Sequence, residues 1–191
     1  MPEKKNLENR KIILGVTGSI AGYKAAIIAS HLTQKGAEVA VVMTRAAQEF
    51  VSPLTFQTLT RNRVITDLFK DQDEYDPEHV ALAKGCSLLI VAPATANILA
   101  KFATGIADDI LSATFLAINS PVIIAPAMND RMYRHWATQA NIKFLKEKGI
   151  IFVGPEKGRL SDGSIGWGRM SEPEKIIKEI ARILQGKRRK K

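Results

Sequence analysis

The chain has 191 residues, of which 46% are hydrophobic and 25% are charged, and this length suits one domain with a full hydrophobic core. Its apolar runs are too short for a membrane span, and its polar N-terminus does not fit a signal peptide, so we expect a cytoplasmic protein. The net charge is +9, but the terminal residues 187–191 supply more than half of it, which favours small phosphorylated ligands over nucleic acid. The single Cys86 excludes an internal disulfide and a cysteine-based cluster, and we expect no metal site.

Buried strands alternate with helices along the chain, which predicts a doubly wound α/β fold with a parallel, Rossmann-like sheet. Residues 1–10 are predicted to be a flexible lead, residues 11–185 the domain, and residues 186–191 a basic tail. Strands are expected at 12–16, 39–43, 87–92, at the start of 121–133, and last at 150–153, with a short extra strand near Val64. Helices are expected at 23–34, 79–84, from Asp108, as one piece over 131–148, and at 173–184, with short helices over 45–70 and an acidic surface loop over 71–78.

Polar and small residues follow three of these strands. Thr17 to Gly22 offers hydroxyl and backbone N–H groups at a helix N-terminus, which suits a phosphate, although its glycine spacing fits neither a dinucleotide fingerprint nor a P-loop. Pro93 to Asn97 and Ala125 to Met132 supply two further sets. Ligands bind at the carboxyl ends of parallel strands, so the three sets are expected to form one site. On position alone, Asn129 is best explained as a helix N-cap.

Four segments together resemble the flavin-dependent cysteine decarboxylases: Thr17–Ala21, Pro93–Asn97, Pro126–Tyr133 and Gly166–Met170. The branch they resemble most is that of the phosphopantothenoylcysteine decarboxylases. That resemblance implies an FMN-dependent lyase that converts 4′-phosphopantothenoylcysteine, a small phosphorylated substrate, to 4′-phosphopantetheine in coenzyme A biosynthesis. It also implies a homo-oligomer, a trimer or a dodecamer of trimers, with active sites between subunits.

The resemblance also assigns roles to individual residues. Asn129 would grip the substrate carboxylate, Met132 and Gly163 would contact the substrate, and His79 would be the base or proton shuttle, a role suited to a group that titrates near neutral pH. Without the resemblance, His79 would be an ordinary solvent-facing histidine. The glycine-rich segment 158–170 would be a mobile clamp. The positions matched to FMN contacts are Gly18, Ser19, Ile20, Thr44, Thr95, Ala96, Asn97, Ile98 and Ala127.

The family's chemistry requires an electron sink, because direct loss of the carboxylate would leave an unstabilised carbanion. The resemblance implies that flavin oxidises the thiol-bearing carbon before decarboxylation, and that the biosynthetic branch then reduces the ene-thiolate. Asp162 stands where many biosynthetic members carry a cysteine as proton donor for that reduction. Asp162 can replace it if burial raises the pKa of its carboxyl, a water can serve instead, or Asp162 is only a turn former. Two alternatives therefore remain open: oxidative decarboxylation of peptidyl C-terminal cysteine, and a flavin-binding regulatory protein without turnover.

Overall fold

A computed structural model describes residues 7–69 and 77–186, and its centre is one six-stranded parallel sheet. The strand order is β3-β2-β1-β4-β5-β6, which reverses direction between β1 and β4. This topology confirms the predicted doubly wound α/β fold. The strands are β1 (Lys11–Val16), β2 (Glu38–Met43), β3 (Val64–Ile65), β4 (Cys86–Ala94), β5 (Val122–Pro126) and β6 (Ile151–Phe152).

Helices cover both faces of the sheet. Those on one face bury apolar residues against Ile12 and Leu14, and those on the other pack against Ile13, so side chains of β1 alternate between the two cores. The first group is α1 (Gly22–Gln34), α2 (Pro53–Thr60) and α8 (Pro173–Gly186). The second is α3 (Glu78–Ala83), α4 (Ala96–Thr104), α5 (Ile110–Ala117) and α7 (Trp136–Glu147), while α6 (Asp130–Arg134) follows β5. None of the described helices is long and apolar enough to cross a membrane.

Local sequence explains several helix ends. Gly36 follows α1 with a φ of +88°, a conformation that suits glycine, and the Ala37 N–H donates to the Leu32 carbonyl at 3.1 Å. Asp109 begins α5 with a capping box, since its carboxylate accepts from the Ser112 N–H and the Ser112 hydroxyl accepts from the Asp109 N–H. These ends are where the sequence predicted them.

The single helix predicted over residues 131–148 is wrong, because the chain breaks at His135. That residue is extended, with φ −58° and ψ 134°, and its Nδ1 accepts from the Ala137 N–H at 3.3 Å. His135 therefore caps α7 and separates it from α6. A histidine N-cap carries a weak sequence signal, which explains the error.

The strand at residues 151–152 is also not the last one. The glycine-rich segment, predicted as a clamp loop, forms an antiparallel hairpin of β7 (Glu156–Arg159) and β8 (Ile165–Arg169). At its tip Gly163 has a φ of +83°, and its N–H donates to the Leu160 carbonyl at 3.0 Å. Glycine disfavours strands, so the local pattern hid this hairpin.

Packing begins before the predicted start of the domain. Leu7, assigned to the flexible lead, is buried, and its N–H donates to the Lys35 carbonyl at 3.1 Å. Residues 1–6 of the lead, 71–76 of the predicted acidic loop and 187–191 of the tail lie outside the described residues.

Candidate active site

A cleft of about 660 Å³ lies at the carboxyl ends of the central strands, where the strand order reverses. It is closed on one side by the β7–β8 hairpin. Seven predicted site residues line it: Gly18, Ser19, Ile20, Thr95, Ala127, Asn129 and Met132. The structure therefore brings the three strand ends together in one cleft, as the sequence predicts, and the roles of their residues stay predictions.

The turn after β1 is shaped by one buried hydroxyl and one close approach. The Thr17 hydroxyl donates to the Pro93 carbonyl at 2.8 Å and accepts from the Thr95 N–H at 3.0 Å, so it ties the ends of β1 and β4 together. A Cβ on Gly18 would lie 2.6 Å from the Ala46 Cβ, so only glycine fits there. The N-cap of α1, Ala21, makes no side-chain cap bond, and the Gly22 and Lys24 N–H groups donate to the Ser19 and Ala21 carbonyls at 2.9 and 3.0 Å. The positive end of the helix dipole still faces the cleft and favours an anionic ligand.

Large apolar side chains stand exposed along the cleft. Ile20 is 61% exposed, Tyr23 56% and Phe50 50%, and Met132 is half exposed. Side chains of this size are usually buried, and their grouping in a concave site suits a ligand with a flat apolar ring.

Asn129 caps a helix with its amide oxygen and donates from its amide nitrogen. Its Oδ1 accepts from the Arg131 N–H at 2.9 Å, as expected of the N-cap of α6. This bond fixes the orientation of the amide, so Nδ2 is presented outward as a donor. Nδ2 donates to the Asp162 carboxylate at 2.9 Å. The cap therefore aims an N–H donor at a carboxylate.

Asp162 is an exposed carboxylate at the hairpin tip. Its Oδ1 accepts from the Ser164 hydroxyl at 2.6 Å and from the Ser164 N–H at 3.0 Å. The Ser164 hydroxyl bond, then the Ser164 N–H and the Asn129 amide, hold the pKa of Asp162 below its ordinary value. Because Asp162 is exposed, burial does not raise the pKa of its carboxyl above the ordinary value. In this conformation Asp162 is therefore ionised at neutral pH and does not carry a proton to donate.

The hairpin docks on the Asn129 turn through a glycine face. The Met128 N–H donates to the Gly168 carbonyl at 3.0 Å, and the Trp167 N–H donates to the Asp130 carboxylate at 2.6 Å. A Cβ on Gly168 would overlap the Met128 carbonyl, and one on Gly166 would lie 2.7 Å from the Asp130 Cβ. These two glycines therefore permit the close contact between clamp and turn.

Asp130 is held at the same junction by a second partner. The Arg134 guanidinium Nε contacts both of its carboxylate oxygens, at 3.0 and 2.9 Å. The Arg134 bond first, and then the Trp167 N–H, hold the pKa of Asp130 below its ordinary value. Asp130 is thus ionised while it accepts from the hairpin.

The end of the hairpin is tied to α1 by a buried lysine. Lys24 is 4% exposed, and its Nζ donates to the Met170 carbonyl at 3.0 Å and to the Glu172 carboxylate at 3.1 Å. Glu172 also pairs with Arg169. Lys24, Tyr23 and Phe50 line the cleft, but the sequence does not identify them as site residues, because only tertiary contacts bring them there.

Several predicted site residues do not line the cleft. Ile98 is buried in α4, and the Thr44 N–H donates to the Val16 carbonyl at 3.0 Å. His79 is half-buried in the first turn of α3, on the sheet face opposite α1. The remaining predicted positions outside the lining are Ala96, Asn97, Asp162 and Gly163. Within the described part of the chain, no group of three or more His, Cys, Asp or Glu could hold a metal ion.

The sheet order and the cleft at its switch point define a doubly wound protein that binds a nucleotide-like ligand. A family model described as Flavoprotein matches residues 1–185. The chain belongs to this flavoprotein family, which includes the phosphopantothenoylcysteine decarboxylases that the sequence resembles.

Individual relatives agree with this assignment. The Bacillus subtilis "Coenzyme A biosynthesis bifunctional protein CoaBC" is 51% identical over 90% of this chain, which spans 42% of that relative's length. The Streptococcus mutans "Probable phosphopantothenoylcysteine decarboxylase" is 43% identical over 90% of this chain and 97% of its own length.

Two solved structures share the fold. A phosphopantothenoylcysteine decarboxylase variant complexed with pantothenoylaminoethenethiol is 28% identical, with a TM-score of 0.83 over 92% of this chain and 98% of that one. The FMN-dependent cysteine decarboxylase SpaF is 32% identical, with a TM-score of 0.81 over 93% and 96% of the two chains.

Proposed function

We propose that this protein is an FMN-dependent decarboxylase that converts 4′-phosphopantothenoylcysteine to 4′-phosphopantetheine in coenzyme A biosynthesis. The observation that carries the proposal is the Asn129 amide, oriented by its cap bond and donating to a carboxylate beside an apolar cleft. A neutral donor binds the substrate carboxylate without the strong ground-state stabilisation that an arginine would give it. The names of the Bacillus and Streptococcus relatives support the substrate and the pathway.

The cleft fits FMN. The N-terminus of α1, with Gly18 and Ser19, would hold the phosphate, and the apolar side chains of Ile20 and Tyr23 would flank the ring. Thr95 and Ala127 line the same cleft at the ends of β4 and β5. When bound, flavin supplies the electron sink that cysteine decarboxylation requires. The docked hairpin would cover the substrate and exclude water.

His79 lies outside the cleft of its own chain, so the proposed site is incomplete in one subunit. We propose that the protein is a homo-oligomer, a trimer or a dodecamer of trimers, in which His79 serves the cleft of a neighbouring copy. Co-expression of His79→Asn with Asn129→Asp tests this arrangement. Random mixing would leave about one site in four with both native residues, so activity should return. No activity in the mixture would contradict the sharing of sites between subunits.

The cytoplasmic location that the sequence suggests stays a prediction.

One observation favours a second candidate, oxidative decarboxylation of a peptidyl C-terminal cysteine. Asp162 takes the position of the clamp cysteine, and the lowered pKa of its carboxyl does not suit a proton donor. In that case the final reduction of the ene-thiolate would not occur.

The test is the mass of the product formed from excess 4′-phosphopantothenoylcysteine without oxygen. Loss of carbon dioxide alone, over many turnovers, is expected for the complete decarboxylase. Loss of carbon dioxide and two hydrogens, in an amount limited by bound flavin, would favour the oxidative candidate. In that case Asp162→Cys should restore the complete reaction, and Ser161→Cys is its matched control. No product at all would refute the proposed substrate.

A further inference from the structure

Three basic side chains line the cleft, and two of them are already neutralised. Lys24 and Arg169 both pair with Glu172, at 3.1 and 2.5 Å. The side chain of Arg159, the third, is exposed at the end of β7 and makes no hydrogen bond or ion pair with any residue in 7–69 or 77–186. Among the described residues of the cleft, the Arg159 guanidinium is therefore available to bind an anion.

The carboxylates near the hairpin are also engaged elsewhere. Asp130 pairs with Arg134, and Asp162 accepts from Ser164 and Asn129. With Glu172 shared between the other two cations, none of these three acids is paired with Arg159. Within the part of the chain that the structure describes, the Arg159 side chain thus has no acidic partner, and it lies in a concave site where a guanidinium with its planar set of donors suits a phosphate.

Position distinguishes between the two phosphates that could reach this cleft. The N-terminus of α1 and the turn of Gly18 form the phosphate site proposed for FMN, and they lie on the sheet side of the cleft. Arg159, Leu160 and Ser161 line the cleft from the hairpin, next to the tip that contacts Asn129. Asn129 lies on the turn after β5 and Arg159 lies on β7, so a substrate whose carboxylate is on Asn129 would extend along the hairpin face of the cleft, which Arg159 lines.

We infer that Arg159 binds the phosphate monoester of the substrate and makes the site selective for phosphorylated over unphosphorylated pantothenoylcysteine. This inference rests on the proposed function. Replacement of one charged hydrogen-bonding group typically costs about tenfold in affinity. We therefore expect Arg159→Gln to lower kcat/KM for 4′-phosphopantothenoylcysteine by about tenfold while leaving kcat/KM for pantothenoylcysteine unchanged.

The experiment compares wild type, Arg159→Gln and the matched control Lys157→Gln, all loaded with FMN. Lys157 is exposed on the same strand but does not line the cleft. Turnover is measured with both substrates, and flavin titration of the stripped proteins gives the Kd for FMN and for riboflavin. Equal losses with both substrates, an equal loss in Lys157→Gln, or a selective loss of FMN over riboflavin binding would each overturn the inference.

A binding measurement separates this inference from the proposed reaction. Equilibrium dialysis of 4′-phosphopantothenate and pantothenate against the FMN-loaded proteins does not need turnover. A preference for the phosphorylated compound that Arg159→Gln abolishes would support the inference even if wild type decarboxylates neither substrate, which would refute only the proposed function. Equal binding of both compounds by wild type would overturn the inference.

Discussion

Replacing Lys24 by methionine tests whether the tie between α1 and the end of the hairpin stabilises the fold. Methionine keeps most of the apolar stem that packs in this buried position, but it removes the ammonium group. The Met170 carbonyl loses the bond from Nζ at 3.0 Å, and the Glu172 carboxylate loses one of its two cationic partners.

The expected magnitude follows from the burial of each group. The Met170 carbonyl lies in a buried contact, and leaving such an acceptor unpaired costs about 1–3 kcal/mol. Glu172 has a side chain that is 39% exposed and retains Arg169, so the lost ion pair adds only about 0–1 kcal/mol. Removing the desolvated ammonium offsets part of this cost. We expect Lys24→Met to lower the free energy of unfolding by about 1–3 kcal/mol.

The assay is urea unfolding followed by circular dichroism at one protein concentration, with flavin removed. Arg169→Gln is the matched control, because it removes the exposed ion pair with Glu172 and leaves both bonds of Lys24 in place. It should cost less than about 1 kcal/mol. A Lys24→Met protein as stable as wild type, or one no less stable than Arg169→Gln, would refute the reasoning that the buried tie of Lys24 stabilises the fold.

Three further predictions test the clamp junction and the helix caps. Asn129→Asp preserves the N-cap but replaces the outward N–H donor with a carboxylate, so kcat/KM for 4′-phosphopantothenoylcysteine should fall at least about tenfold. The new carboxylate also faces Asp162, but at an exposed position, so Tm should fall only slightly, and a large fall in Tm would indicate a structural role. Gly168→Ala and Gly163→Ala both strain a positive φ, by about 1–3 kcal/mol, but only position 168 also meets a carbonyl oxygen, so its Tm should be the lower; equal values would argue against close docking. Burial raises the pKa of Asp109, but hydrogen bonds led by that from Lys101 outweigh it and hold the pKa below 3.8. The ionised Asp109 carboxylate therefore stabilises the fold above its ordinary pKa, and this stabilisation is lost as pH falls through the lowered pKa. Urea unfolding at a series of acidic pH values should show that the free energy of unfolding depends less on pH in Asp109→Asn than in wild type.

The local sequence pattern was sufficient to predict those structural features that depend on residues close together in the chain. The apolar run of β1, the glycine after α1 and the capping box of Asp109 are set by interactions within a few residues, so strand and helix positions were predictable. The position of Asn129 after β5 likewise follows from strand and turn signals. Residues recognised by motif, Gly18 and Thr95 among them, do line the cleft.

The three-dimensional structure alone decided the contacts between distant segments. The pairing of Lys24 with Glu172 spans 148 positions, and no local pattern shows that the single lysine of α1 will be buried. The hairpin was hidden because its glycines serve docking on the Asn129 turn rather than strand propensity. His79 was assigned to the site by its match to a family motif, but the packing of α3 places it outside the cleft of its own chain. Sequence thus determined the fold and the residue types at the strand ends, because these depend on short-range periodicity. Tertiary packing decided which charges meet, because burial and pairing depend on residues far apart in the chain.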